Sequence, residues 1–170
     1  MNQSQGLKWL AVLCITGLFF MAAAVEAQQA PRLDLKTTVQ KEVKIKKQGK
    51  WVVETVPVEK TGPGDVLVYA IAYQNAGKAP ATDARIVNPV PKGAVLIPES
   101  VRGKDAEAAC SIDNGATWHK PPVMIRIKNR AGVEEEKPAP SERYTHVQWV
   151  IKKPVAPGQS GQVYFKTTVQ

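Results

Sequence analysis

The chain has 170 residues, a formal net charge of +8 at neutral pH, 44% apolar residues and two cysteines. Such a length suits one domain, or one domain with an extra hairpin, that buries a core without a metal or a disulfide framework. No cofactor is expected, and the basic excess suits an anionic partner.

The compartment is set by the first 27 residues. Lys8 precedes a nearly unbroken apolar run over residues 9–25, and Val25-Glu26-Ala27 places small residues three before and one before a bond at Gln28. This reads as a cleaved secretory signal. The run is about long enough to span a membrane, but one positive charge before it and the A-x-A-like exit favour a signal peptide over an anchor. No transmembrane anchor is expected after cleavage, and the mature domain keeps its +8, since Lys8 and Glu26 leave together. In the periplasm or at the cell surface the partners of a basic protein are an acidic patch of an envelope protein or an anionic polymer or headgroup, and nucleic acid is not expected. The plain alternative is a lysine-rich face that keeps a β-protein soluble and guards its edges. Cys14 lies in the signal and is no lipoprotein acceptor, because Leu13 before it is too bulky. Cys110, left alone, reads as a buried small apolar residue between Ala108, Ala109 and Ile112, with a disulfide dimer as the open alternative.

From Leu33 onward the apolar period is two, and no window carries a helical stripe. The chain is therefore expected to be all-β. Residues 28–59 read as an N-terminal β-rich extension: Leu33, Leu35, Val43 and Ile45 alternate with polar residues, Gln48-Gly49 turns the chain, and residues 51–58 return, with Pro57 marking an edge or bulge. Turn chemistry at Lys60-Thr61-Gly62-Pro63-Gly64-Asp65 leads into the clearest strand, residues 66–75. There Leu67, Tyr69, Ile71 and Tyr73 share one face, and Val66, Val68, Ala70 and Ala72 the other. Short strands follow at 84–87 and 94–98, then one around Val123, Ile125 and Ile127. The acidic stretch Glu134-Glu135-Glu136-Lys137-Pro138 reads as an exposed loop. Strands at 144–151, with Trp149 inside, and 162–169 close the chain. Short strands divided by Pro and Gly predict a sandwich, with a core of Leu67, Tyr69, Ile71, Ile86, Val95, Val147, Trp149, Val163 and Phe165.

The segment from Gly64 to Gly77, ending Tyr73-Gln74-Asn75-Ala76-Gly77, resembles the opening of the bacterial conserved repeat domain, the family of unknown function numbered eleven. Ile86-Val87-Asn88-Pro89-Val90-Pro91-Lys92-Gly93 resembles its step from strand to Pro-x-Gly. Trp149 with Pro157-Gly158-Gln159-Ser160-Gly161 resembles its final tryptophan strand, turn and closing strand. The resemblance covers about residues 60–170 and implies an immunoglobulin-like β-sandwich from exported or cell-surface proteins, without enzymatic activity. A single copy and the extension before it depart from the family's tandem habit. The pentapeptide Lys-Thr-Thr-Val-Gln occurs at 36–40 and again at 166–170, as two β-prone strands or as a register shared by successive modules.

Ser111-Ile112-Asp113-Asn114-Gly115-Ala116-Thr117-Trp118 fits S-x-D-x-G-x-T-W and resembles the Asp box of sialidase-like propellers, where the box is structural. In one copy it reads as a hairpin, with a glycan contact by Trp118 or His119 as the alternative. His119 and His146 lack a nucleophile elbow or metal-ligand spacing, so no catalytic or metal-binding residue is assigned. One basic cluster stands out, residues 41–47: on an extended strand Lys44 and Lys46 share a face with Glu42, opposite Val43, Ile45 and Lys47. Lys44, Lys46, Lys47 and nearby Trp51 are the candidate partner-binding residues. The expected function is binding or assembly by an exported, non-catalytic module in the bacterial cell envelope. The rivals are a carbohydrate-binding or carbohydrate-active secreted protein, and a homo-oligomer built through Cys110 or the repeated terminal strands.

Overall fold

The computed structural model describes residues 30–170, and the signal assignment over residues 1–27 lies outside the described residues. The described residues are all-β, apart from one 3-10 turn at Ser141–Arg143. Its ten strands are β1 (Leu33–Lys47), β2 (Lys50–Pro57), β3 (Val66–Asn75), β4 (Arg85–Pro89), β5 (Ala94–Gly103), β6 (Ala106–Ser111), β7 (Met124–Lys128), β8 (Glu134–Pro138), β9 (His146–Ile151) and β10 (Ser160–Val169). They form a five-stranded sheet in the order β2-β1-β3-β10-β5, a three-stranded sheet β4-β9-β6 and a separate hairpin β7-β8. Every ladder is antiparallel.

The two larger sheets pack face to face. Because antiparallel partners share a face, the pairings Val163↔Ile71, Phe165↔Tyr69 and Thr167↔Leu67 stack β10 and β3 side chains towards the three-stranded sheet. There Ile86, Val147, Trp149 and Ile151 meet them in one buried cluster. Trp149 is 0% exposed and its ring lies 6.1 Å from that of Phe165, which stacks in turn on Tyr69 at 4.5 Å. Side chains of this size contribute about 2 to 3 kcal/mol each when fully buried. Eight of the nine residues expected in the core are buried in this cluster, pack against it or lie buried on the same face as Leu67 does. Val95 is the exception. The register pairs Leu96 with buried Thr167 and Val95 with Thr168, so Leu96 faces the core and Val95 faces outward.

A second correction concerns residues 134–138, read from the sequence as an exposed loop. They form β8, and the pairings Arg126↔Glu136 and Lys128↔Glu134 set cations against carboxylates across the hairpin. Opposite charges at facing positions stabilise such a pair. A turn organised by Asn129, whose carboxamide oxygen accepts the amides of Ala131 and Val133, closes it.

The N-terminal stretch is not one unit. Residues 33–41 of β1 pair with β3 and are part of the five-stranded sheet, whereas residues 40–47 pair with β2. Beyond Lys41 the β1-β2 hairpin has no third strand among the described residues, and it runs on past the sandwich for about 20 Å. At the opposite end of β1 the chain is tied down by Asn75, which is fully buried. Its side-chain oxygen accepts the amides of Arg32 (3.2 Å) and Gly77 (2.9 Å), and its Nδ2 donates to the carbonyls of Ala79 and Val155, both at 2.8 Å. Gly77 is needed beside it: a Cβ there would lie 2.3 Å from the Ala30 carbonyl oxygen.

Candidate interaction surface

Gln48 and Gly49 take positive φ angles of 51° and 81°, the two-residue turn that suits the twist of an antiparallel hairpin. That turn fixes the register Lys47↔Lys50, Lys46↔Trp51, Ile45↔Val52 and Lys44↔Val53. One face of the ribbon consequently carries Lys44, Lys46, Trp51 and Val53; the other carries Val43, Ile45 and Val52, half-buried among themselves. Trp51 is 71% exposed and Val53 55%. A shallow, open groove is lined by Lys44, Trp51, Val52 and Val53.

Three of the four candidate residues are brought together. Lys47 is not: the pleat puts it on the other face, where its ammonium is ion-paired with Glu54. Trp51 covers no residue of the core cluster and stands exposed. Lys44 and Lys46 have no ion-pair partner among the described residues, whereas Lys41 is engaged by Asp65 at 3.3 Å and Lys166 by Glu42. The Asp65 carboxylate, accepting the Gly62 amide and facing Lys41, is held below its ordinary pKa. Sequence reasoning missed Val53, although the Gln48-Gly49 turn carried the signal: a two-residue turn determines which residues face Lys44 and Lys46.

The Asp box closes on itself. The Ser111 hydroxyl donates to Asp113 Oδ1 (2.6 Å) and accepts the Gly115 amide (2.8 Å). Thr117 donates its amide to Oδ1 (2.9 Å) and its hydroxyl to Oδ2 (2.5 Å). Led by the Ser111 and Thr117 hydroxyls, these donors hold the Asp113 carboxyl far below the usual carboxylate range. Asn114 and Gly115 take the positive φ that the turn requires. Trp118 is half-buried, edge-on to His146 with ring centroids 6.5 Å apart. His119 is exposed, with Nε2 3.1 Å from the Thr117 hydroxyl, and its backbone bridges to Cys110. The two candidate glycan contacts therefore flank a loop whose carboxylate is already committed to internal donors.

Cys110 is 0% exposed, and burial pushes its thiol pKa up to about 12. A thiol so placed is a poor nucleophile and is out of reach of a second chain unless the strand opens. Among the described residues no group of three or more His, Cys, Asp or Glu side chains is placed to hold a metal ion, and no helix is long and apolar enough to cross a membrane. A second concavity, beside β5 and β6, is lined by Glu99, Asp105, Glu107, Lys120 and Lys152. Its charges are largely paired off, Glu107 with Lys152 and Asp105 with Lys153.

Comparison with models of known protein families, with curated proteins and with solved structures gives no match.

Proposed function

We propose that the chain is an exported, immunoglobulin-like module that acts by binding or assembly in the bacterial cell envelope and performs no chemistry of its own. The single observation that carries this reading is the ribbon, which exposes Trp51 and Val53 directly across from Lys46 and Lys44, neither of which has an ion-pair partner among the described residues. A monomeric fold gains nothing from leaving an indole in water, and such residues are enriched where proteins meet partners. The signal-like N-terminus supplies the compartment. The resemblance to the conserved repeat domain over about residues 60–170 supports the finer fold, together with two antiparallel layers around a buried tryptophan. The carbohydrate reading through Trp118 and His119 draws no support from a loop whose Asp113 is saturated by its own neighbours.

The test is made in the host. Full-length protein carrying a photo-crosslinker in place of Val53 is expressed, cells are fractionated, and the mature N-terminus and crosslinked species are identified by mass spectrometry. A start at Gln28 and an envelope component captured through the ribbon are expected. A monomer captured with nothing, or a chain retained in the cytoplasm, overturns the reading.

A further inference from the structure

The geometry points to an anionic lipid surface as the ligand of the ribbon face. This inference rests on the ribbon being the binding element and names what it binds. The face extends beyond the ribbon. Since β1, β3, β10 and β5 lie in one sheet, the side of β1 that carries Lys44 and Lys46 continues across Val68, Ala70 and Tyr164, away from the three-stranded layer. By the same register Lys36 and Arg102 point outward on it. Its carboxylates are engaged by neighbours, Asp34 by Arg32 and Glu42 by Lys166. An open, net cationic sheet face results, with an exposed indole and a valine at one corner.

The chemistry around Trp51 decides among anionic ligands. A sugar ring stacked on the indole would need hydrogen-bond acceptors as well as donors for its hydroxyls, but Lys46 facing it, Lys44 on one diagonal and Val53 beside it on its own strand offer only ammonium donors and methyl groups, and the carboxamide of Gln48 on the other diagonal belongs to the turn. An acidic polymer would engage the lysines and leave Trp51 and Val53 in water. A bilayer interface satisfies all four. An indole settles at headgroup depth, lysine stems lie along apolar surface while their ammonium groups reach phosphate, and attraction to anionic lipid is worth about a fivefold change in partitioning for each lysine near the surface. The ribbon runs beyond the sandwich on two strands alone, so it can meet a surface ahead of the sheet that it extends.

The experiment uses protein purified after export by its host, sedimented with vesicles of mixed phosphatidylglycerol and phosphatidylcholine, and with phosphatidylcholine alone. Uptake by the anionic vesicles only is expected. The double variant Lys44→Gln/Lys46→Gln should lower it about thirtyfold and Trp51→Ala about tenfold. Brominated acyl chains should quench the wild type more than Trp51→Phe, and circular dichroism should show both charge and indole variants folded. Uptake that Trp51→Ala leaves unchanged, or capture by soluble dextran sulfate without uptake by vesicles, overturns the lipid assignment. Capture of an envelope protein through residue 53 with no vesicle uptake overturns it too, while leaving the ribbon as the binding element. No vesicle uptake and no capture overturn both readings.

Discussion

The two ends of β1 are built on opposite principles. Where the strand begins, a buried asparagine uses both of its side-chain polar atoms to bind the chain before β1, the loop after β3 and the segment before β10. Where the strand ends, the backbone has one neighbouring strand among the described residues, and the side chains facing out are an indole, a valine and two lysines with no ion-pair partner among those residues. Polar atoms are inside at the first end and apolar atoms outside at the second, each the reverse of the usual partition. The first inversion is compensated within the molecule, bond for bond. The second has no compensation among the described residues, which is why the first end explains the fold and the second is where the proposed binding is tested.

Breaking the first end should have the largest effect. Asn75→Ala leaves two amides and two carbonyls without their side-chain partners, and about 3 to 5 kcal/mol of stability should be lost, read as a shift of the urea midpoint. Gly77→Ala strikes the same knot sterically: its Cβ would meet the backbone at Ala30, Arg32 and Pro31, each within 2.9 Å. Since backbone rather than a side-chain tip must move, about 2 to 3 kcal/mol is expected to be lost. If hydrogen exchange showed β1 amides near residue 33 exchanging no faster in either variant, the knot would not be what holds this end of the strand.

The Asp box lies between these extremes, because its compensation is internal but exposed to water. The folded pKa of Asp113 is depressed, so its contribution is fully present above the ordinary aspartate value of about 4 and drains away as pH falls towards the folded value. Asp65, depressed by the Gly62 amide and Lys41, acts in the same direction. Unfolding midpoints should therefore hold steady from about pH 7 to about pH 5 and fall below about pH 4. Asp113→Asn should lower the midpoint at neutral pH and flatten that acid limb. A variant with an unaltered acid limb would place the dependence elsewhere. Cys110 supplies an independent gauge of opening: with its thiol buried and its pKa pushed up to about 12, it should react with a disulfide reagent only as fast as the sheet opens, and faster in Asn75→Ala.

Legibility in the sequence followed how local each determinant is. Period-two alternation placed β3 and β10, whereas Asn75 and Gly77 appear in the sequence only as the end of a segment, because the contacts that give them their role are with Arg32, Val155 and Ala30, far away in the chain. The acid-rich residues 134–138 read as a loop because charge density argues for solvent, and only their facing partners Arg126 and Lys128 turn that density into a strand. Val95 and Leu96 differ by one step of the pleat, which is set by β10 rather than by any nearby residue. On the ribbon, Lys47 joined the candidate set by adjacency in the chain, yet alternation sends it to the far face and Glu54 neutralises it. Val53 became a candidate only through the register that the Gln48-Gly49 turn imposes.

The smallest expected effect on stability is also the sharpest test of the comparison. Trp51 is 71% exposed and contributes little buried area, so Trp51→Ala should change stability by no more than about 0.5 kcal/mol. Were the indole there to hold the ribbon together across the strand from Lys46, its removal would fray β1 beyond Lys41. Faster amide exchange over residues 42–47 and a measurably lower midpoint would then reveal a structural role. With both unchanged and binding lost, the residue does nothing for the monomer and its energy is realised only at a surface. That pairing of outcomes is the converse of Asn75→Ala, where stability falls because every bond of the removed side chain was made inside.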